Sequence, residues 1–346
     1  MFRRRVFRPV YLIFAALILA CGVANVLRLE IPAWMQYLPF ALSLVLFGLP
    51  HGALDHLVPA RLSGQKPTPR SVGLVVVLYG ALGAAVFLLW SVAPAAAFLF
   101  FIALTWFHWG QGDLWVVARL EESFPLSPSL RVGTLIIRGG LPMLVPLLAF
   151  PTIYHEVMAG SIKLFSAGGQ STPALDFLFD PTVRLALGVG FGVVIIVTLV
   201  LQLLAASWSP RPARAHLIAA WRRNGLEVVL LLAFFAVVPP VLAVGLYFCL
   251  WHAVRHIIRL ELLDTRARAS LARGILLPAL RRFSVDALPV TIVALALLVA
   301  LFFIVPRSGA DANSLLGLYL VLISALTLPH VAIVTWMDHR QRLWSR

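Results

Sequence analysis

Two histidines stand four residues apart in Trp251-His252-Ala253-Val254-Arg255-His256, inside an otherwise apolar stretch. On a helix, positions i and i+4 share one face a turn apart, so both imidazoles can reach a single point. That is the geometry for gripping one metal ion. Ionisable side chains are costly within a bilayer and mark a functional site by default. Three other apolar stretches carry comparable residues: Gly48 to His56 (GLPHGALDH), Trp106 to Asp113 (WFHWGQGD), and Leu328-Pro329-His330 with Asp338 and His339 beyond it.

Neutral imidazole suits iron, copper or zinc. His51, His108, His252 and His256 could together hold one ion. Each ring gives one nitrogen to the metal, and its other N–H then needs a partner. Asp55, one turn after His51, is expected to orient a ring, and Asp113, Asp338 and Gln111 could do the same. His56 points off the His51 face and belongs to the surroundings of the site or to the membrane interface. His330 could be a fifth ligand, a partner of a ligand or a pocket residue. Arg255 is expected to pair with a carboxylate such as Asp55 or Asp338. His155 and His216 fall in loops and receive no role. Trp106, Trp109, Trp251 and Trp336 lie at one level, as an interfacial aromatic belt or as the wall of a pocket for a long apolar substrate. Gly48, Gly52, Gly110 and Gly112 allow close approach of helices or ligand. Pro50 and Pro329 each break a helix beside a histidine, which is tolerable next to protein or a cavity.

The elements that must position these groups are membrane helices. Of 346 residues, 61% are hydrophobic and 12% charged, against about 25% charged in a soluble domain. The fold class is therefore all-α, a polytopic integral membrane helix bundle forming a single domain over 1–346. Ten spans of about 20 residues are expected: 10–29, 36–59, 71–91, 95–117, 132–150, 182–205, 225–239, 241–262, 286–306 and 313–337. One span drawn through Pro239-Pro240 would give nine. Ten spans with both termini cytoplasmic place most of the 28 Lys and Arg on the inner side, as the positive-inside rule requires. Nine would put the stretch from Arg255 to Arg282 outside. The net charge of +14 thus reflects topology, and no nucleic-acid motif accompanies it. Cys21 and Cys249 both lie in apolar runs and form no redox or metal motif. Residues 1–8 are basic and lead into a first transmembrane helix rather than a cleaved signal. Residues 151–181, with Gly168-Gly169, Pro173 and Pro181, are expected as an external loop with a short helix. The basic segment 263–285 is expected as a partly helical inner loop.

Within this topology, spans two, four, eight and ten all run outside to inside. His51, His108, His252 and His330 then sit at similar depth, each several residues before the inner end.

The motifs PHGALDH (50–56), FHWGQGD (107–113), WHAVRH (251–256) and LPH (328–330) resemble those of the Brp/Blh family of bacterial β-carotene 15,15′-dioxygenases, in order and spacing over nearly the whole chain. The resemblance implies an all-helical enzyme of the bacterial inner membrane with one non-haem ferrous iron per chain and no haem. It points to His51, His108, His252 and His256 as iron ligands. It further implies β-carotene and O2 as substrates, two molecules of all-trans-retinal as product, and hand-off of retinal to a rhodopsin. In such a reaction no side chain need transfer a proton, so the protein's work is orientation, water exclusion and tuning of the iron. Nearby tryptophans could stabilise positive character on the polyene.

Other classes fit less well. Membrane di-iron desaturases and hydroxylases use about eight or more clustered histidines, in boxes such as HxxHH. This chain has nine histidines in all and no such box. A b-type haem protein needs two opposed histidines. A transporter would show an inverted repeat, and none is evident. A carotenoid- or retinal-handling partner of a rhodopsin, without catalysis, is separated from the enzyme by metal content and product.

Overall fold

The computed structural model describes residues 2–120, 126–165, 173–305 and 312–344. The described residues are helical throughout, without strands. The helices are α1 (Arg8–Val26), α2 (Ala33–Ser43), α3 (Leu49–Gly52), α4 (Val58–Ser63), α5 (Pro69–Val92), α6 (Pro94–Trp115), α7 (Pro128–Ala149) and α8 (Pro151–Lys163). Then follow α9 (Pro181–Ser207), α10 (Arg211–Val237), α11 (Pro240–Leu246), α12 (Val254–Glu261), α13 (Thr265–Ala272), α14 (Leu277–Ile304) and α15 (Ala312–Arg340).

Local chemistry explains the boundaries. Proline, which lacks an N–H and fixes φ, opens α5, α6, α7, α8, α9 and α11. Thr68 caps α5 in a reciprocal box with Ser71, and the Asp180 carboxylate accepts from the Thr182 and Val183 amides at the start of α9.

Among the described residues, eight helical stretches are long and apolar enough to cross a membrane, so this is a multi-pass membrane protein. The other two expected spans, 95–117 and 225–239, fall on α6 and α10. The polar run FHWGQGD dilutes α6, and Arg222, Arg223 and Glu227 dilute α10. The expected spans 182–205 and 225–239 leave 206–224 between them as a connection, yet α10 already starts at Arg211. Its first four turns are amphipathic and extend the membrane helix past its apolar part. Residues 151–181 contain α8 and a short 3₁₀ turn at Pro173–Phe179, while Gly168-Gly169 lie outside the described residues. In the basic segment 263–285, α13 forms and Arg282 bonds Asp264 at 2.9 Å.

Two spans are broken rather than continuous. Between α2 and α3 a π-helical turn covers Leu44–Gly48, and a 3₁₀ turn at Asp55–Leu57 separates α3 from α4. Between α11 and α12 a second π turn covers Tyr247–Ala253. Such turns carry an extra residue and recur at functional sites. These two hold or flank His51 and His252.

The α6–α7 pair is packed backbone to backbone. A Cβ at Gly139 would stand 1.8 Å from the Trp106 carbonyl oxygen, and one at Gly110 2.2 Å from that of Leu135. The Trp106 indole N–H donates to the Ile136 carbonyl at 2.9 Å. This contact fixes the depth of His108 on α6. Gly139→Ala should therefore force the helices apart and cost about 1–3 kcal/mol, the range for overpacking a dense core. Thermal unfolding of the detergent-solubilised protein reads it, and an unchanged midpoint would contradict the contact.

Candidate metal centre

Five histidines from four helical stretches converge in the interior: His51 (α3), His108 (α6), His252 and His256 (about the π turn and α12) and His330 (α15). All are buried. Ring centroids lie 4.7 Å apart for His108–His252 and His108–His330, 5.0 Å for His51–His330 and His256–His330, 5.5 Å for His51–His252, and 5.6 Å for His51–His256. The Nε2 atoms of His108 and His252 are 3.0 Å apart. The His252 and His256 rings lie 6.3 Å apart and nearly parallel, at 10°.

Ligand atoms fall into two adjacent triads. In each triad, His51, His108 and His252, or Asp55, His256 and His330, they lie within 4.8 Å of one another. Of the four histidines expected as ligands, three thus share one triad. The fourth, His256, falls in the other triad with Asp55 and His330.

The outer contacts of the rings differ. His51 Nδ1 bonds the Gly48 carbonyl. The Asp55 carboxylate Oδ2 accepts from Tyr79 Oη at 2.5 Å and pairs with His330 Nδ1 at 2.7 Å. The nitrogens His108 Nδ1, His256 Nδ1 and Nε2 and His330 Nε2, with Asp55 Oδ1, have no hydrogen-bond partner among the described residues although buried. A buried polar atom without a partner is costly. Among these residues, His256 and His330 share a group with Asp55 whose ligand atoms lie within 4.8 Å of one another, an arrangement a cation would resolve. The donor set, imidazoles with one carboxylate, suits a first-row transition metal. Gly112 makes room for the ring of His252, since a Cβ there would lie 3.1 Å from its Cε1.

The remaining expected residues lie around the cluster or away from it. His56 is half-buried and lines the cavity beside the site, as expected, and its Nδ1 bonds the Ala53 carbonyl at 2.8 Å. Asp113 touches no histidine. It accepts from the Trp251 indole N–H at 3.0 Å and pairs with Arg255 at 3.2 Å and Arg138 at 3.4 Å. Asp113 lies five residues after His108, which turns it to the far side of α6. Arg255 accordingly pairs with Asp113 and Glu227, not with Asp55 or Asp338, and its guanidinium sits 4.0 Å from the Trp251 ring. One step before His256 is a 100° turn away from the histidines. Asp338 pairs with Arg259 at 2.6 Å, also outside the cluster. Gln111 donates to Thr335 at 3.1 Å and also stands against the His108 ring, as expected for a residue that orients it. Of the tryptophans, Trp109 lines the cavity at the histidines, with its ring 5.7 Å from that of His252. Trp106 turns to α7, Trp251 into the Asp113–Arg255 group, and Trp336 is partly exposed, so these three form no pocket wall.

Sequence reasoning missed Tyr79, Arg138 and Glu227. Tyr79 gave no signal beyond a hydroxyl in an apolar run. Arg138 and Glu227 did, as charges inside expected spans. They close a buried network. Glu227 bonds Arg138 at 2.8 Å, Arg255 at 3.0 Å and the Tyr11 hydroxyl, and Arg138 continues to Asn224 at 2.6 Å. Two arginines and two carboxylates balance in charge and tie α1, α6, α7 and α10 to the π turn. Glu227→Ala leaves both arginines short of a counter-charge. It should cost about 3–5 kcal/mol, the usual consequence of breaking a buried pair. Unfolding in detergent measures this, and wild-type stability would remove the network from the account.

The histidines open onto an apolar cavity of about 650 Å³, within the usual range for a small-molecule site. His51, His108 and His330 line it, with aromatic and aliphatic walls from α5, α6, α7, α8, α11, α14 and α15.

Residues 42–338 match the family model described as beta-carotene 15,15′-dioxygenase. A probable beta-carotene 15,15′-dioxygenase Blh of Halobacterium salinarum is 42% identical over 340 residues, covering 98% of this chain and 95% of that protein. A probable beta-carotene 15,15′-dioxygenase Brp of the same species is 27% identical over 343 residues, or 95% and 90% of the two chains. A beta-carotene 15,15′-dioxygenase from uncultured marine bacterium 66A03 is 30% identical over 219 residues, 62% of this chain and 66% of that one. No solved structure matches.

Proposed function

The chain belongs to the β-carotene 15,15′-dioxygenase family, and from that premise we propose that it cleaves the central double bond of β-carotene with O2 to give two molecules of all-trans-retinal, using one non-haem ferrous ion. The observation that carries the proposal is the convergence of buried histidines, several with unpartnered nitrogens, on the wall of an apolar cavity.

His51, His108, His252 and His256 hold the ion in this reading, with His330 and Asp55 closing the other side. Ferrous iron so held supplies the binding and activation of O2, whose two oxygen atoms end in the two aldehydes. The chain's own residues do the rest. Asp55, fixed by Tyr79, holds His330 in one tautomer and one orientation. The Gly48 carbonyl does so for His51. Aliphatic and aromatic walls exclude water and keep the polyene extended with its middle at the histidines. The face of Trp109 favours positive character developing on the polyene there. A second reading, a pair of ions, is favoured by the division of ligand atoms into two triads. Metal content per chain separates one ion from two.

The protein lies in the bacterial inner membrane with both termini cytoplasmic, and retinal passes on to a rhodopsin. The test is the pigment of β-carotene-producing bacteria with and without this chain. Loss of carotene with retinal as the main product is expected. Unchanged carotene in cells containing the folded, metal-loaded protein would rule the proposal out, and longer apocarotenals would move the cleavage site.

A further inference from the structure

The residues lining the cavity differ in exposure from one wall to another. On α6, α7 and α11 they are enclosed: Phe98, Phe101, Met143 and Val241 are all buried. On α5 and α14, Val75 and Ala294 are buried, but other lining residues are exposed. Val76 is 61% exposed, Val293 59% and Leu297 46%. Gly80 lines the cavity at the same place, and a Cβ added to it meets nothing within 4 Å. Both α5 and α14 pack on α15 but hardly on one another. Pro289 removes one backbone hydrogen bond from α14 at this level. In a membrane helix bundle an outward apolar residue faces lipid. The cavity is thus lined by exposed apolar residues on its α5 and α14 side and by buried ones on α6, α7 and α11.

We infer that the gap between α5 and α14, bordered by Val76, Gly80, Val290 and Val293, is a lateral portal through which a long apolar polyene enters from the bilayer. The blind arm between α6, α7 and α11 receives its leading half. From Phe98 to His108 the helix rises ten residues, roughly 15 Å, so that arm is deep enough to set how far the polyene advances past the histidines. This inference rests on the proposed carotenoid cleavage for the identity of its occupant.

Gly80→Trp sets a large side chain at the portal, at a position where a Cβ meets nothing within 4 Å. Gly73→Trp is the matched control. It lies two turns earlier on α5, is exposed, meets nothing within 4 Å and does not line the cavity. Each protein is reconstituted into vesicles containing β-carotene. Two quantities are followed: carotene retained per chain after brief exposure and rapid extraction, and the initial rate of cleavage. Gly80→Trp should slow both by about tenfold or more, which is at least roughly 1.4 kcal/mol of barrier. Its metal content should stay at the wild-type level, and Gly73→Trp should match wild type. Loading of Gly80→Trp at the rate of Gly73→Trp would overturn the portal. Normal wild-type loading without cleavage, with Gly80→Trp still slow to load, would sink the cleavage reading and keep the portal. A wild type that takes up no carotene would sink both.

Discussion

His252→Ala should retain no metal after purification and should turn over β-carotene at background. Its Nε2 lies 3.0 Å from that of His108, and its ligand atom shares one triad with His51 and His108. Removing it leaves only two imidazoles on that side of the centre. Partners outside the first layer of ligands typically cost about 10–100-fold in metal affinity or activity, so a ligand itself should cost more. The fold should survive, because Trp251, Asp113 and Arg255 hold the π turn from its other face. Metal analysis and retinal chromatography on the folded variant check this. Full metal with full turnover would remove His252 from the ligand set.

Asp55→Asn carries the second-largest expected effect on metal binding. Oδ2 of Asp55 takes both the Tyr79 hydroxyl and His330 Nδ1, and Oδ1 is buried without a partner. An amide in its place removes the negative charge from the centre and lets His330 turn or change tautomer. Metal affinity should fall by about 10–100-fold. Tyr79→Phe, which leaves the carboxylate intact, should cost far less. Titration with ferrous iron under anaerobic conditions compares the three proteins. Equal affinity of Asp55→Asn and wild type would show that the carboxylate neither binds nor orients.

Much of the framework could be read from the chain. Apolar run lengths located the helices. The shared depth of His51, His108, His252 and His330 followed from the parity of their spans, and the structure brings these four together. What could not be read was the direction each side chain faces. Asp113 and Arg255 sit within five residues of histidines, yet they point away, because each residue along a helix turns 100°. Only the positions of Glu227 and Arg138 on neighbouring helices explain where those two go. The π turn at Tyr247–Ala253 adds a residue to one turn, so the facing of α11 does not carry over to α12. The cavity is equally hidden in the sequence. Val76 and Val293 are ordinary lipid-facing valines until α5 and α14 are seen to leave a gap.

The most direct measurement is the product balance of the purified protein. The protein is loaded anaerobically with ferrous iron, mixed with β-carotene in vesicles and exposed to O2. Retinal formed is then compared with carotene lost, alongside metal-free protein. Two retinal molecules are expected for each carotene consumed, dependent on the metal. Carotene bound but unchanged, or cleaved equally well without metal, would contradict it.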